Sequence, residues 1–369
     1  MSKIHFEENS VITCTPSQMP RIAMQCPKIV TDIGKAVASA VSAMGKVCVG
    51  YGEGRAALAL GRAFSAGVCS VGVQAVEVGM STVPSLAYAV KRLGCSVGAY
   101  ISANNTVSVR LFSADGAKLT REEEDRIECR LNVPAEELPL AQYGEISFCE
   151  GISEVYLSRL AEIVTGRLER IYAQFYSPTR KIVTDAQRLI AGKNGTDDDT
   201  RTERIAFHIS GDGSKVSAYS EPTGYVLHDR LMAVVTPNVS NSSVTYGDTF
   251  PFRERFIPDT KSPLACDGTA LALTVLEILR NRGITLKEAT DELPDYAVAE
   301  RYIPLDKPYN VMKKLNTNDG VLMDGESGRV VIRPNRTGRG IMLRVESFAA
   351  ETAAELCDFY AEMLSDNSE

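Results

Sequence analysis

The sequence predicts an α/β protein of several small domains, with mixed, mostly parallel sheets covered by helices and a smaller α+β unit at the end. Three observations predict it. Short apolar strands alternate with amphipathic helices as far as Ser102, the pattern of parallel strands joined by helical crossovers. The 369 residues exceed what one core organises, at about 150 residues per domain. The composition, 44% hydrophobic and 24% charged, is ordinary for a globular chain and excludes disorder, a collagen-like repeat and a coiled-coil rod.

Each element has its own justification. Residues 27–45 place Ile29, Ile33, Val37 and Val41 near a spacing of four, one face of a helix. A short strand, Val47–Gly50, then a Gly-rich turn, lead to a helix through Ala56, Leu58, Leu60 and Phe64. Val71–Val78 alternates as a strand, Pro84–Leu93 reads as a helix and Val97–Ser102 as a strand. Pro134 or Pro139 closes this first domain. Ser153–Phe175 then reads as a helix, Lys181–Val183 as a strand, and the polar stretch Lys193–Thr202 as a solvated loop. Strand Ile205–Ile209 ends in the tight turn Ser210-Gly211-Asp212-Gly213, followed by an antiparallel hairpin turning at Pro222-Thr223-Gly224. Residues 237–263 are turn-rich. Gly268–Arg282 is a helix with Leu271, Leu273, Val275, Leu276 and Leu279 on its apolar side. From Lys307 the pattern is a helix at Tyr309–Leu315, a hairpin at Asp324-Gly325, a basic loop and a closing helix, Ala349–Leu364. No repeat of fixed period runs through the chain.

Charge narrows the function classes. A formal net charge of −7 with no long Lys/Arg run argues against nucleic acid and membrane surfaces as partners. No apolar run reaches the roughly 18 residues of a membrane span, and no signal-peptide core opens the chain. The nine cysteines are odd in number and form no C-x-x-C pair, which fits reduced thiols and a cytoplasmic setting. The N-x-S/T triplets at Asn194, Asn238 and Asn335 then carry no glycan. His5 on an N-terminal arm, His208 in a strand and His228 in a hairpin strand read as structural. Glu122, Glu123, Glu124 and Asp125 start a helix after Thr120, where carboxylates complement the helix dipole.

Longer stretches resemble the α-D-phosphohexomutase superfamily, the phosphoglucosamine, phosphoglucose and phosphomannose mutases. The strongest runs from Ser81-Thr82-Val83-Pro84-Ser85 to Val90, through Ile101-Ser102-Ala103, to Phe112-Ser113-Ala114-Asp115-Gly116-Ala117-Lys118-Leu119. Ile205–Ala233, Asp267-Gly268 to Pro294, and Arg333-Pro334 to Leu356 follow in the family's order. The resemblance implies a four-domain phosphohexomutase-like architecture: domain I at 1–139, domain II at 140–236, a truncated domain III at 237–305 and domain IV at 306–369.

It also implies a chemistry, phosphoryl transfer through a phosphoserine assisted by Mg²⁺, from which this sequence departs. Where the family writes Ser-His-Asn-Pro, this chain has Asn104, Asn105 and Thr106 on a loop several residues shorter. Ser102, Thr106 and Ser108 are the substitute nucleophiles, each with the plainer reading of a hydroxyl that caps a turn. The metal loop Asp-Gly-Asp-Gly-Asp-Arg aligns to Ser210, Gly211, Asp212, Gly213, Ser214 and Lys215, so no catalytic residue and no metal ligand set is expected. The N-terminal signature and the third-domain sugar loop have no counterpart; Gly325-Glu326-Ser327-Gly328 lies too late in the chain and reads as a hairpin turn. The fourth-domain phosphate loop is matched by Arg333, Asn335, Arg336, Thr337 and Arg339, whose forks and amides suit phosphate oxygens.

The expectation is a pseudoenzyme: a binding or regulatory protein without cofactor. Its partner would be a protein, a true mutase or a second copy, with a phosphorylated small molecule at the Arg loop. The alternatives are a divergent sugar-phosphate mutase or phosphatase with a relocated serine, and a structural subunit.

Overall fold

The computed structural model describes residues 6, 10–13, 26–41, 45–103, 106–131, 133, 138–195, 202–235, 263–293, 297–305, 311, 314–315, 320–325, 327–334 and 340–366. Two units emerge: Met1–Leu231 with Lys261–Thr285, and Met232–Thr260 with Leu286–Glu369.

The first unit opens with strand β1 (Val11–Thr13) and helix α1 (Cys26–Ala40). There follow β2 (Lys46–Tyr51), α2 (Arg55–Ser70), β3 (Gln74–Met80), α3 (Val83–Arg92), β4 (Val97–Ala103), β5 (Val107–Ser113), α4 (Arg121–Leu131) and β6 (Ile146–Phe148). The six strands form one sheet in the order β1-β5-β4-β2-β3-β6. Its centre is parallel, β4 with β2, β2 with β3 and β3 with β6, while β5 runs antiparallel beside β4. Parallel strands are buried on both faces, and here two cores result. Val47, Val49, Ala99, Ile101 and Leu111 pack with α1 and α2. Cys48, Val76, Val78, Tyr100 and Phe112 pack under α3 through Val83, Leu86, Ala89 and Val90.

Helix α3 starts where the sequence tells it to. Thr82 caps it, accepting from the Ser85 amide at 3.4 Å, and Pro84 sits in the first turn, where a missing amide hydrogen costs nothing. Helix α4 carries a reciprocal capping box: the Thr120 amide donates to Glu123 at 2.7 Å and the Glu123 amide to Thr120 Oγ1 at 3.3 Å.

Next come α5 (Ile152–Ala161), β7 (Ile171–Tyr176), α6 (Arg180–Ile190), β8 (Glu203–Ile209), β9 (Val216–Ser220), β10 (Gly224–Val226) and α7 (His228–Val235). The second sheet has the order β10-β9-β8-β7, with only β7 and β8 parallel. Its inner face is Ala173, Phe175, Ile205, Phe207 and Ala218, all buried. On the other face His208 stacks on Tyr176 at 5.1 Å. Helix α8 (Gly268–Arg282) is capped by Asp267 and ended by Gly283 in the left-handed region, at φ 64°.

Three expectations are corrected here. The helix expected over Ser153–Phe175 ends at Ala161, and Ile171–Tyr176 is a strand whose alternate residues Ile171, Ala173 and Phe175 point inward. Lys181–Val183 belongs to α6, whose buried Ile182, Ala186, Leu189 and Ile190 keep helical spacing. His228 begins α7 rather than lying in a hairpin strand. Strand β6, after Pro139, is the edge of the first sheet.

The second unit holds α9 (Leu286–Asp291), β11 (Ala297–Pro304), β12 (Val321–Gly325), β13 (Gly328–Pro334), β14 (Gly340–Ser347) and α10 (Ala350–Asp366). Its sheet, β11-β14-β13-β12, is antiparallel throughout. Ile303, Val330, Ile332, Ile341, Leu343 and Val345 meet α10 at Ala353, Cys357, Ala361 and Leu364, one helical stripe. The hairpin at Asp324-Gly325 is therefore present. His5, the loop beyond Gly195, the 237–263 stretch up to Ser262 and most of Tyr309–Leu315 lie outside the described residues. Among the described residues, no helix is long and apolar enough to cross a membrane.

Candidate functional site

The first unit brings three sequence-distant segments together around Asp212. The tight turn after β8 closes by hydrogen bonds from the Ser210 amide to Lys215 O and from the Gly213 amide to Ser210 O, both 2.9 Å. Gly213 sits at φ 82°, a left-handed conformation that glycine adopts without steric cost. The amide of Val83, in the first turn of α3, donates to Asp212 O at 2.9 Å, and the Gly268 amide donates to Gly213 O at 2.9 Å. A Cβ on Gly268 would lie 2.5 Å from Lys215 O, so only glycine admits this approach of α8 to the turn.

Within this frame the Asp212 carboxylate is fully engaged. Oδ1 accepts from Ser210 Oγ at 2.7 Å, Ser214 Oγ at 2.8 Å and the Ser214 amide at 3.1 Å. Oδ2 lies 3.2 Å from Arg110 Nη1, an ion pair between residues 102 positions apart, and also accepts from Ser214 Oγ at 3.0 Å. Burial pushes the Asp212 carboxyl up, but the Ser210 hydrogen bond, the Arg110 charge and the Ser214 donors outweigh it and hold the group below the usual range. Tyr100, directly opposite Arg110 in the β4–β5 register, is pushed well above a normal phenol, by burial first and then by the Asp212 charge.

The Mg²⁺ that the resemblance implies does not fit these donors. Mg²⁺ wants carboxylates and a nearly ideal octahedron. Here one carboxylate is present, the flanking positions are hydroxyls that donate to it, and a guanidinium shares its second oxygen. A dication on that carboxylate, about 4 Å from the guanidinium, would be repelled by about 8 kcal/mol at an effective dielectric of 20. Among the described residues, no group of three His, Cys, Asp or Glu is placed to hold a metal.

The other predicted residues fall as follows. Asn104 and Asn105 lie outside the described residues; Thr106 is exposed just before β5. Ser102 and Ser108 face each other across the β4–β5 pair, both half-buried. No carboxylate or imidazole hydrogen-bonds to either among the described residues. Arg333 is exposed on β13, while Asn335, Arg336, Thr337 and Arg339 lie outside the described residues. His228 is structural: its Nε2 lies 3.0 Å from Ala265 O and its Nδ1 accepts from the Val216 amide at 3.3 Å.

Sequence reasoning missed two groups. Arg110 reads locally as the polar member of an alternating strand. Asp267 stands only as the residue before the Gly268–Arg282 helix, yet it is buried, with Tyr156 Oη donating to its Oδ2 at 2.6 Å and the Ala270 amide to its Oδ1 at 2.9 Å.

Residues 22–137 match the family model "Phosphoglucomutase/phosphomannomutase, alpha/beta/alpha domain I". The phosphoglucosamine mutase of Ruminiclostridium cellulolyticum is 23% identical over 361 residues, covering 87% of this chain and 73% of that protein. Residues 22–137 thus match this family's domain I, and along most of its length the chain is similar to phosphoglucosamine mutase. Two solved phosphohexomutase structures share the fold. A phosphoglucomutase/phosphomannomutase family protein from Burkholderia thailandensis superposes with TM-score 0.64 at 17% identity, over 97% of this chain and 96% of that one. A putative phosphomannomutase from Thermus thermophilus superposes with TM-score 0.62 at 15% identity, over 99% of both chains. Two other phosphoglucosamine mutases align over less than two thirds of their own length: 46% for that of Lacticaseibacillus casei and 64% for that of Corynebacterium aurimucosum.

Proposed function

We propose that this chain is a pseudoenzyme: a binding or regulatory protein that recognises a phosphorylated sugar or similar anion, and a partner protein, without transferring the phosphoryl group. One observation carries the reading. The only carboxylate of the Ser210–Lys215 turn is spent on Arg110, Ser210 and Ser214, so nothing in that turn is left to recruit a metal. Asn104 at the nucleophile position supports it, because an amide does not accept and return a phosphoryl group at neutral pH. Loss of a nucleophile alone costs about 10⁶ in turnover, or about 8 kcal/mol. The anion site of this reading is Arg333, Asn335, Arg336, Thr337 and Arg339. The partner is a true mutase or a second copy of this chain. The scattered cysteines, with Cys26, Cys48, Cys69, Cys95 and Cys357 buried as thiols, favour a cytoplasmic setting.

A second reading has its own observation. Ser102 on β4 and Ser108 on β5 oppose each other, and β5 also carries Arg110, so a relocated nucleophile would have a cation close by. One experiment separates the two. Purified protein is incubated with glucose 1,6-bisphosphate and Mg²⁺, and its intact mass and hexose-phosphate interconversion are followed. No added phosphoryl and no turnover are expected. A one-phosphoryl adduct mapping to Ser102, Thr106 or Ser108 would establish the active-mutase reading instead.

A further inference from the structure

The β4–β5 connection and the Asp212 turn explain each other. Strands β4 and β5 pair without a break from Val97↔Ser113 to Ala103↔Val107, leaving only residues 104–106 between them. So short a hairpin forces β5 straight back along β4, and this places Arg110 opposite Tyr100. Its other neighbour, β1, pairs with it at Val11 and fixes the strand from the far side. Arg110 thus projects from the middle of a sheet, between two paired strands, and its guanidinium meets Asp212 Oδ2 at 3.2 Å. Both side chains are largely withdrawn from water, 19% exposed for Arg110 and 29% for Asp212. Ser210 and Ser214 complete the arrangement by donating their hydroxyl hydrogens to the same carboxylate.

We infer that Arg110 is the resident cation of this site: a fixed guanidinium, delivered by the shortened hairpin, that does the charge-neutralising work of a divalent metal and keeps one out. A carboxylate brought into a sheet junction needs a positive partner. An ion drawn from solution provides it only at sufficient concentration, whereas an arginine built into a strand provides it always. The Ser210 and Ser214 hydroxyls belong to the same solution. Carboxylates at those positions would leave Arg110 facing excess negative charge, while hydroxyls satisfy one anion and add none.

The probe is Mn²⁺, read by electron paramagnetic resonance, with thermal melting in Mg²⁺ or EDTA beside it. The natural protein should bind no Mn²⁺ at about millimolar concentration, and its melting temperature should be the same in either buffer. Rebuilding the carboxylates as S210D/S214D should create a Mn²⁺ site, and adding Arg110→Met to that pair should tighten it by about tenfold or more. R110K in the S210D/S214D background keeps the charge and should bind no more tightly than the Arg110 form; melting of each variant shows that it folds. Submillimolar Mn²⁺ binding by the natural protein would overturn the inference. So would equal Mn²⁺ affinity with and without Arg110. Turnover by the metal-free protein would sink the pseudoenzyme reading and leave the role of Arg110 standing.

Discussion

Asp267 shows what one buried carboxyl costs and returns. Burial raises its pKa to about 6, only partly countered by the Tyr156 hydroxyl and the Ala270 and Thr269 amides. It remains because it caps α8 and anchors Tyr156, giving both carboxylate oxygens donors. A carboxyl whose folded pKa lies above its unfolded value of 3.8 contributes most to stability below that value, and the contribution is lost as pH rises through about 6. Asp267→Asn keeps the cap and removes the titration. Its stability relative to the natural protein should therefore improve by about 1–3 kcal/mol between about pH 4 and about pH 8. Urea unfolding of both proteins across that range measures this. A constant difference between the two would mean that Asp267 does not titrate there.

At the scale of the element, two helices meet backbone to backbone. A Cβ on Gly67 of α2 would lie 2.2 Å from Thr31 O, and one on Gly34 of α1 would lie 2.4 Å from Phe64 O. The backbones touch, and Thr31 Oγ1 donates across to Ala63 O at 3.2 Å. Gly67→Ala gains up to about 1 kcal/mol in helix propensity but must push two backbones apart, which costs about 1–3 kcal/mol or more in a packed core. A net loss of about 1–2 kcal/mol is expected, seen as a lower urea midpoint. Midpoint unchanged or raised, and the helices are not in contact there. This contact also marks where sequence reading stops. Elements with strong local signals were legible: α8 with its apolar side, the Gly-rich turn at Asp212, the β9–β10 hairpin and the closing helix. Short windows misled. Ile182-Val183 read as strand because two β-branched residues outweigh a helical period visible only across the eleven residues of α6. Strands β1, β5, β6 and β11 have little meaning outside their partners; β6 is three residues long. The site follows the same rule. Asp212 stands in a motif, but the sequence carries no sign that Arg110, 102 positions away, faces it.

For the whole molecule the question is whether an anionic ligand is welcome at all. The chain's formal net charge is −7, which repels a sugar phosphate at long range. Screening confines that repulsion: at about 0.1 M salt the Debye length is about 10 Å, so the charges that decide binding are those beside the ligand. Arg333, Arg336 and Arg339 put three guanidinium groups within seven residues, and each charge-assisted bond to a phosphate oxygen is worth about 1.5–3 kcal/mol. Less the cost of immobilising the ligand, this supports affinities of about micromolar to millimolar. Lowering salt should tighten binding, because local attraction at contact outweighs diffuse repulsion. Were the net charge to dominate, binding would instead strengthen as salt is added. Titration calorimetry with phosphate, glucosamine 6-phosphate and glucose 1-phosphate at two ionic strengths reads both the affinity and that sign. Replacing Arg336 and Arg339 by Ala should abolish binding while shifting stability by no more than about 0.5 kcal/mol. If none of the three ligands registers at about millimolar concentration, the arginine loop holds no anion and recognition of a protein partner is the part of the proposed function that remains.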